Sequence, residues 1–370
     1  MGTFIVRSGV ITSVHAFASD PERGIFILLI FAVFVGGALT LFALRGAALE
    51  AKGVFALVSR ESALVLNNVL LAVASFVVFV GTMWPLVSEL AFGRVLSVGA
   101  PFFDAAFTPF MVALAIVLPV GAILPWKRGS LGRAMRAQSG IAALALALGG
   151  LAFALQTGRS ALVPVGAALG LWLVLGALAD LWGRSGRQGV IQRLGRMARL
   201  PRADWGKATA HAGLGVTIFA VAAVTGWSTE DIRVAQLGES FEHEGYTVTL
   251  TDVQRVQGPN WISTTGYVDV HQNGVLVAQL EPEKRVYPAA GMPTTEAAID
   301  YSLTRDLYIA LGDPQDGGGW ALRTYVKPFA SWLWLGAALM ALGGLVSLSD
   351  RRYRLAAGAR KAPAIATPAE

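Results

Sequence analysis

Seven apolar runs, each close to twenty residues, constrain this 370-residue chain more than any motif in it. They fall at about residues 25–44, 63–83, 107–125, 139–156, 161–181, 208–227 and 329–348. A helix needs roughly 20 mostly apolar residues to cross the hydrocarbon core, where every backbone N–H and C=O must be satisfied within the segment. The expected fold class is therefore a polytopic α-helical membrane protein of about seven transmembrane helices. The fourth and fifth runs are separated only by "TGR", the spacing of a tight helical hairpin. Composition agrees: 54% of residues are hydrophobic and 15% charged, too apolar for an ordinary soluble domain.

Orientation follows from Lys and Arg in the short connections. One side carries Arg45, Lys52 and Arg60; Lys127, Arg128, Arg133 and Arg136; Arg184, Arg187, Arg193, Arg196, Arg199 and Arg202; and Arg351, Arg352, Arg354, Arg360 and Lys361. The other carries Arg7, Arg23, Arg94 and Arg159. Eighteen against four makes the first side cytoplasmic. The arm 1–24 then faces outward, a six-helix membrane region covers 25–227, and the tail 349–370 after the last span faces inward. The first run follows mixed charges and is too long for a signal-peptide h-region, so no cleaved leader is expected. The net charge of +6 is spent in these connections, which argues against a nucleic-acid surface.

Residues 228–328 depart from the pattern, being polar and rich in Thr, Val, Tyr and Gly. "YTVTLTDVQRV" (246–256) and "TTGYVDVHQ" (264–272) alternate as strands do. The second runs through Asn273–Gly274 into "VLVAQLEPEKRVY", a hairpin signal because a type I′ turn needs positive φ at both central residues. "DLYIALG" (306–312) and "WALRTYVKP" (320–328) read as two more strands joined by "DPQDGGG". A small antiparallel β domain, barrel or sandwich, is expected on the outward side, tethered to the membrane at both ends.

The chain has no cysteine, which removes disulfides, thiolate metal sites and cysteine nucleophiles and leaves any redox chemistry to a borrowed cofactor. It has four histidines. His15 lies in "TSVHAFASDP", a polar stretch ahead of the first span, where it is either a ligand or a solvated imidazole. His211, in "WGKATAHAGLGVTIFAVAAV", sits inside the sixth span, about one turn from its cytoplasmic end. An ionisable group there is a functional hypothesis by default; the alternative is a structural histidine hydrogen-bonded to a neighbouring helix. Small residues around it (Ala208, Ala210, Ala212, Gly213, Gly215) admit either a bulky ligand or a closely packed helix. His243 and His271 read as solvated or turn-adjacent. Asn67 and Asn68, inside the second span, read as interhelical hydrogen bonds or as part of a cofactor pocket. No multi-histidine metal spacing and no hydrolase or nucleotide-binding signature occurs.

Several longer stretches carry a resemblance. "GTFIVRSGVITSVHAFASDPERGIFILLIFAVFVGGALTLFALR", "SRESALVLNNVLLAVASFVVFVGTMWPLVSE", "LSVGAPFFDAAFTPFM" followed by "PWKR", and "TYVKPFASWLWLGAALMALGG" together resemble, in order, the carboxyl-terminal half of the CcmF family of cytochrome c maturation (haem lyase) membrane proteins. The resemblance implies covalent attachment of haem to apocytochrome c at the outer face of the bacterial inner membrane. It implies as partners a periplasmic haem chaperone, a membrane protein that presents apocytochrome c, and a quinol as a possible electron donor. It also implies a haem b held within the membrane, reducing the incoming haem. The "SVHAFA" motif makes His15 a periplasmic axial ligand of the transiently bound haem substrate. "W-G-x-x-x-A-H-x-G" at the start of the penultimate span makes His211 an axial ligand of haem b, a role imidazole fits well.

The pattern is also incomplete. The family's tryptophan-rich periplasmic segment, its first periplasmic histidine and the other intramembrane ligand all belong upstream, and the ten tryptophans here are scattered. The second axial ligand is therefore expected outside this chain, which reads as one part of a split protein with an amino-terminal partner or as a truncated product; if truncated, its haem binding alone should be weak or absent. A non-catalytic scaffold for the same complex and a small-solute permease remain rivals, although a permease would usually show an internal repeat and matched broken helices. None is seen, while Pro119 and Pro164 are expected to interrupt their spans.

Overall fold

The computed structural model describes residues 21–49, 54–156, 160–187, 189–288 and 293–350. His15 and the basic cluster 351–361 lie outside them. The described chain is a set of apolar helices carrying a β-sandwich, as the hydropathy pattern requires.

The helices are α1 (Gly24–Ala48), α2 (Arg60–Phe92), α3 (Ala100–Ile123), α4 (Leu131–Leu155), α5 (Leu162–Arg184), the short α6 (Val190–Met197), α7 (Arg202–Trp227) and α8 (Trp332–Leu348). Six of them are long and apolar enough to cross a membrane, and α8 is an apolar helix of 17 residues. Most outrun the apolar segments that announced them, because the flanking polar residues also favour helix. α2 has 33 residues, about 50 Å at 1.5 Å per residue. α8 instead starts three residues late: Phe329 adopts φ 57°, outside the helical region, so the chain turns before the helix begins.

Neither expected proline interruption occurs. Pro119 lies within continuous α3, close to its carboxyl end. Pro164 lies in the first turn of α5, where a missing N–H costs no helical hydrogen bond.

The chain forms two compact units, 1–135 and 136–370. In the first, α2 pairs with α3. Ser59 caps α2 by accepting from the Ser62 N–H at 3.1 Å. Arg60 donates through Nη2 to the Ala122 carbonyl at 2.8 Å, and its guanidinium stacks on Trp126.

In the second unit α7 is the central helix, packed between α5 and α8. A Cβ on Gly213 would stand 2.7 Å from the Gly336 carbonyl of α8, and one on Gly215 2.6 Å from the Gly170 carbonyl of α5. Lipid offers no hydrophobic drive for helix association, so such close backbone approach supplies the dispersion contact that holds the three together.

The β domain follows α7 directly. One sheet runs β1 (Thr229–Ala235), β10 (Trp320–Pro328), β9 (Arg305–Pro314), β8 (Ala298–Tyr301). The other runs β2 (Ser240–His243), β3 (Tyr246–Gln257), β4 (Ile262–Gln272), β6 (Glu283–Val286), β7 (Pro293–Glu296), with β5 (Val275–Leu280) also on β4. All pairings are antiparallel. The inward residues of the two sheets, among them Val248, Leu250, Val268, Val270, Ile309, Leu311 and Leu322, form one buried core. Asn273 and Gly274 take φ 52° and 77°, both positive as the β4–β5 turn requires.

Strand β1 leaves α7 and strand β10 leads to α8, and the two pair in register from Thr229↔Val326 to Ala235↔Trp320. The two connections to the helices are therefore neighbours, as α7 and α8 are. Phe219, Trp227, Phe329 and Trp332 form a ring cluster at this junction, with centroids 5.1 to 6.5 Å apart. Trp227 donates to the Leu155 carbonyl and Trp332 to the Leu303 carbonyl. Amphipathic indoles at a helix end suit the polar–apolar boundary of a bilayer.

Candidate functional site

α7 starts at Arg202 after Pro201, two turns before the apolar run, since "RADWGK" is polar yet helical. His211 therefore sits about two and a half turns into the helix, deeper than the apolar run alone suggested. Along α7 it lies one turn from Ala208 and Gly215. Ala208 packs on Ala177 and Leu181 of α5, and Gly215 lies against Gly170, Leu173 and Val174 of the same helix.

The imidazole is half-buried. Among the described residues it has no hydrogen-bond partner, and its interactions with neighbouring charges are with Lys207 and Asp180. An interhelical hydrogen bond, the structural reading of this residue, thus has no partner among the described residues. Neither ring nitrogen is taken up by a described residue.

Below His211 lies a charged network that the residue-by-residue reading missed. Asp180, at the end of α5, is 5% exposed. Its Oδ1 accepts from Arg184 Nε at 3.0 Å and its Oδ2 forms an ion pair with Lys207 Nζ at 2.5 Å, while Arg184 Nη1 reaches Asp204 at 3.1 Å. Two carboxylates are thereby matched by two cations where α5 meets α7, which is what makes a buried Asp180 tolerable. The signal was present: Lys207 precedes His211 by four residues, hence one turn away on the same face, and Asp180 is an acid at a span's end.

The other candidates separate. His15 is outside the described residues. His243 Nε2 lies 3.3 Å from Thr229 Oγ1, which ties β2 to β1. His271 is half-buried on β4 opposite Leu276 of β5. Asn67 donates to Asn68 at 3.2 Å, so these two bond to each other within α2.

A family described as the CcmF C-terminal β-sandwich matches residues 226–328, the domain between α7 and α8. The chain is 59% identical over 362 residues to the cytochrome c-type biogenesis protein Ccl1 of Rhodobacter capsulatus, with 98% of this chain and 55% of that protein covered. It is 45% identical to CycK of Rhizobium meliloti, covering 99% of this chain and 54% of the relative. It is 42% identical to CcmF of Escherichia coli, covering 96% and 54%. A solved structure named cytochrome c heme lyase CcmF shares the fold, with a TM-score of 0.65 at 23% identity over 94% of this chain and 54% of that one. The chain spans about half the length of the curated relatives it matches. It is a multi-pass membrane protein with a β-sandwich, and over almost its whole length it is similar to the CcmF family of cytochrome c-type biogenesis proteins.

Proposed function

We propose that this chain works in cytochrome c maturation as the haem-handling part of a membrane haem lyase, with His211 as one axial ligand of a haem b inside the membrane. The observation that carries this reading is the state of His211: a half-buried imidazole in an apolar helix, with no hydrogen-bond partner among the described residues. Polar groups at such a place are expensive unless a partner takes them up, and a ring nitrogen left open suits iron. The names of the relatives supply the process.

In this reading α7 presents the imidazole and α5 and α8 hold α7 in place, so the ligand's position is set by the close-packed glycine contacts. The Asp180–Lys207 pair keeps balanced charge one turn away. A haem b held by His211 would supply one-electron chemistry to the haem being attached, its own reduction coming from a quinol donor. His15 acts as the axial ligand of that substrate haem on the outer face, and the second ligand of each pair comes from the complementary half. The bacterial inner membrane, with the β-sandwich and the 1–24 arm periplasmic and the 349–370 tail cytoplasmic, is the location that the Lys/Arg distribution supports. Partners of the stated chemistry are a haem chaperone, an apocytochrome-presenting membrane protein, apocytochrome c and the tryptophan-rich half.

The test is an absorption spectrum of the purified assembly containing this chain and its complement. A b-type signal that disappears in His211→Ala supports the assignment. Absence of that signal in the unmutated assembly rules it out and leaves the scaffold reading.

A further inference from the structure

We propose that α6 is an interfacial helix that seats an apolar face in an anionic lipid leaflet, at a depth fixed by the ends of α5 and α7. This does not rest on the haem reading.

α5 ends at Arg184 and α7 starts at Arg202, and the two pack side by side, so the chain between them returns at one membrane surface. Within it, Val190, Leu194 and Met197 recur at i, i+4 and i+7, with Ile191 beside them, which gives α6 an apolar face. Met197 packs inward against the Ala177, Leu181 and Ala208 cluster. The rest of the face is open: Val190 is 63% exposed, Ile191 85% and Leu194 49%.

α6 is pinned at its middle and at its carboxyl end. Arg193 donates through Nη2 to the Trp182 carbonyl at 2.6 Å and through Nε to Ser185 at 3.3 Å, and it lies over the Trp182 ring at 3.9 Å. At the carboxyl end Trp205 Nε1 donates to the Met197 carbonyl at 3.0 Å. The helix cannot leave the surface at which the two spans end.

Charge identifies the occupant. Residues 184–202 contain six arginines, and no acidic residue lies between Asp180 and Asp204. Arg187, Arg196, Arg199 and Arg202 are exposed. An apolar face bordered by unopposed arginines beside two membrane spans matches acyl chains below anionic headgroups.

The absence of cysteine allows a clean test. The full chain is made as Ile191→Cys, spin-labelled, and reconstituted in vesicles of phosphatidylethanolamine and phosphatidylglycerol. Leu237→Cys, in the turn after β1 and 55% exposed, is the aqueous reference. Collisions with lipid-soluble oxygen, relative to an aqueous nickel complex, should be severalfold higher at 191 than at 237. Neutralising Arg187, Arg196 and Arg199 to Gln should move the 191 label toward water in these vesicles, and replacing phosphatidylglycerol by phosphatidylcholine should do the same. Equal ratios at 191 and 237 overturn the proposal. So does a 191 label shielded from both reagents, which would mean that a protein surface covers the helix.

Discussion

At the scale of single residues, Asp180 is the side chain whose removal is felt most directly. Its carboxylate answers Lys207 and Arg184 at the α5–α7 contact, and its near-complete burial means that water cannot take its place. Asp180→Ala leaves Lys207 without a counter-charge and Arg184 with Asp204 alone. The side chains of both cations are 28% exposed, so the penalty is below that of a fully buried pair: about 2 kcal/mol. Thermal unfolding in detergent checks this. Lys207→Ala should cost less, since Arg184 still holds Asp180. His15 and His211 make the complementary functional comparison. In the proposed roles, His15→Ala stops cytochrome c maturation and leaves the membrane haem spectrum intact, whereas His211→Ala removes that spectrum. Loss of the membrane haem in the His15 variant would sink the division of labour.

Among the secondary-structure elements, two adjacent glycines of α8 offer a matched pair. A Cβ on Gly343 would meet the Ala210 N and the Gly206 carbonyl of α7, each at 2.5 Å, with backbone on both sides and nowhere to shift. A Cβ on Gly344 meets nothing within 4 Å. Gly343→Ala should therefore destabilise by about 2 kcal/mol through overpacking, while Gly344→Ala should be neutral or stabilising by up to about 1 kcal/mol. Equal effects in thermal unfolding would show that the α7–α8 contact is not the close one described. The helices and the long strands were legible because apolar runs of twenty and strict alternation each have one structural solution. α6 was not, because eight residues carrying arginines among apolar ones read as a basic connection. β2, β7 and β8 were missed because four-residue strands show too few periods, and β1 because Glu230, Asp231 and Arg233 among its seven residues read as a polar connection. The start of α7 was misjudged because its first two turns are polar, and the start of α8 because nothing in "KPFASW" announces the positive φ of Phe329. The ion network beside His211 joins residues from two helices, and their pairing exists only once α5 and α7 are packed.

For the molecule as a whole, the β-sandwich has a closed core of its own, and both connections leave through neighbouring strands. Residues 229–328 expressed alone should give a soluble β-rich domain. Ile309→Ala, at a fully buried position, should cost it about 3 kcal/mol by denaturant unfolding. The helical part behaves differently in the haem reading. It contributes one imidazole to a site that needs two, so stable haem b should depend on the complementary half. Haem held by a single histidine would be weakly retained with a broad high-spin spectrum, and haem held by two would give the sharp low-spin b-type spectrum. The chain expressed alone should thus retain little haem or show the high-spin form, and co-expression with the tryptophan-rich half should bring up the low-spin spectrum. Repeating the co-expression with His211→Ala should return the high-spin or haem-free state. A sharp low-spin spectrum from the chain alone would mean that both ligands lie within it. The candidates for the second would then be His15 and the β-domain histidines, each separable by its own alanine variant.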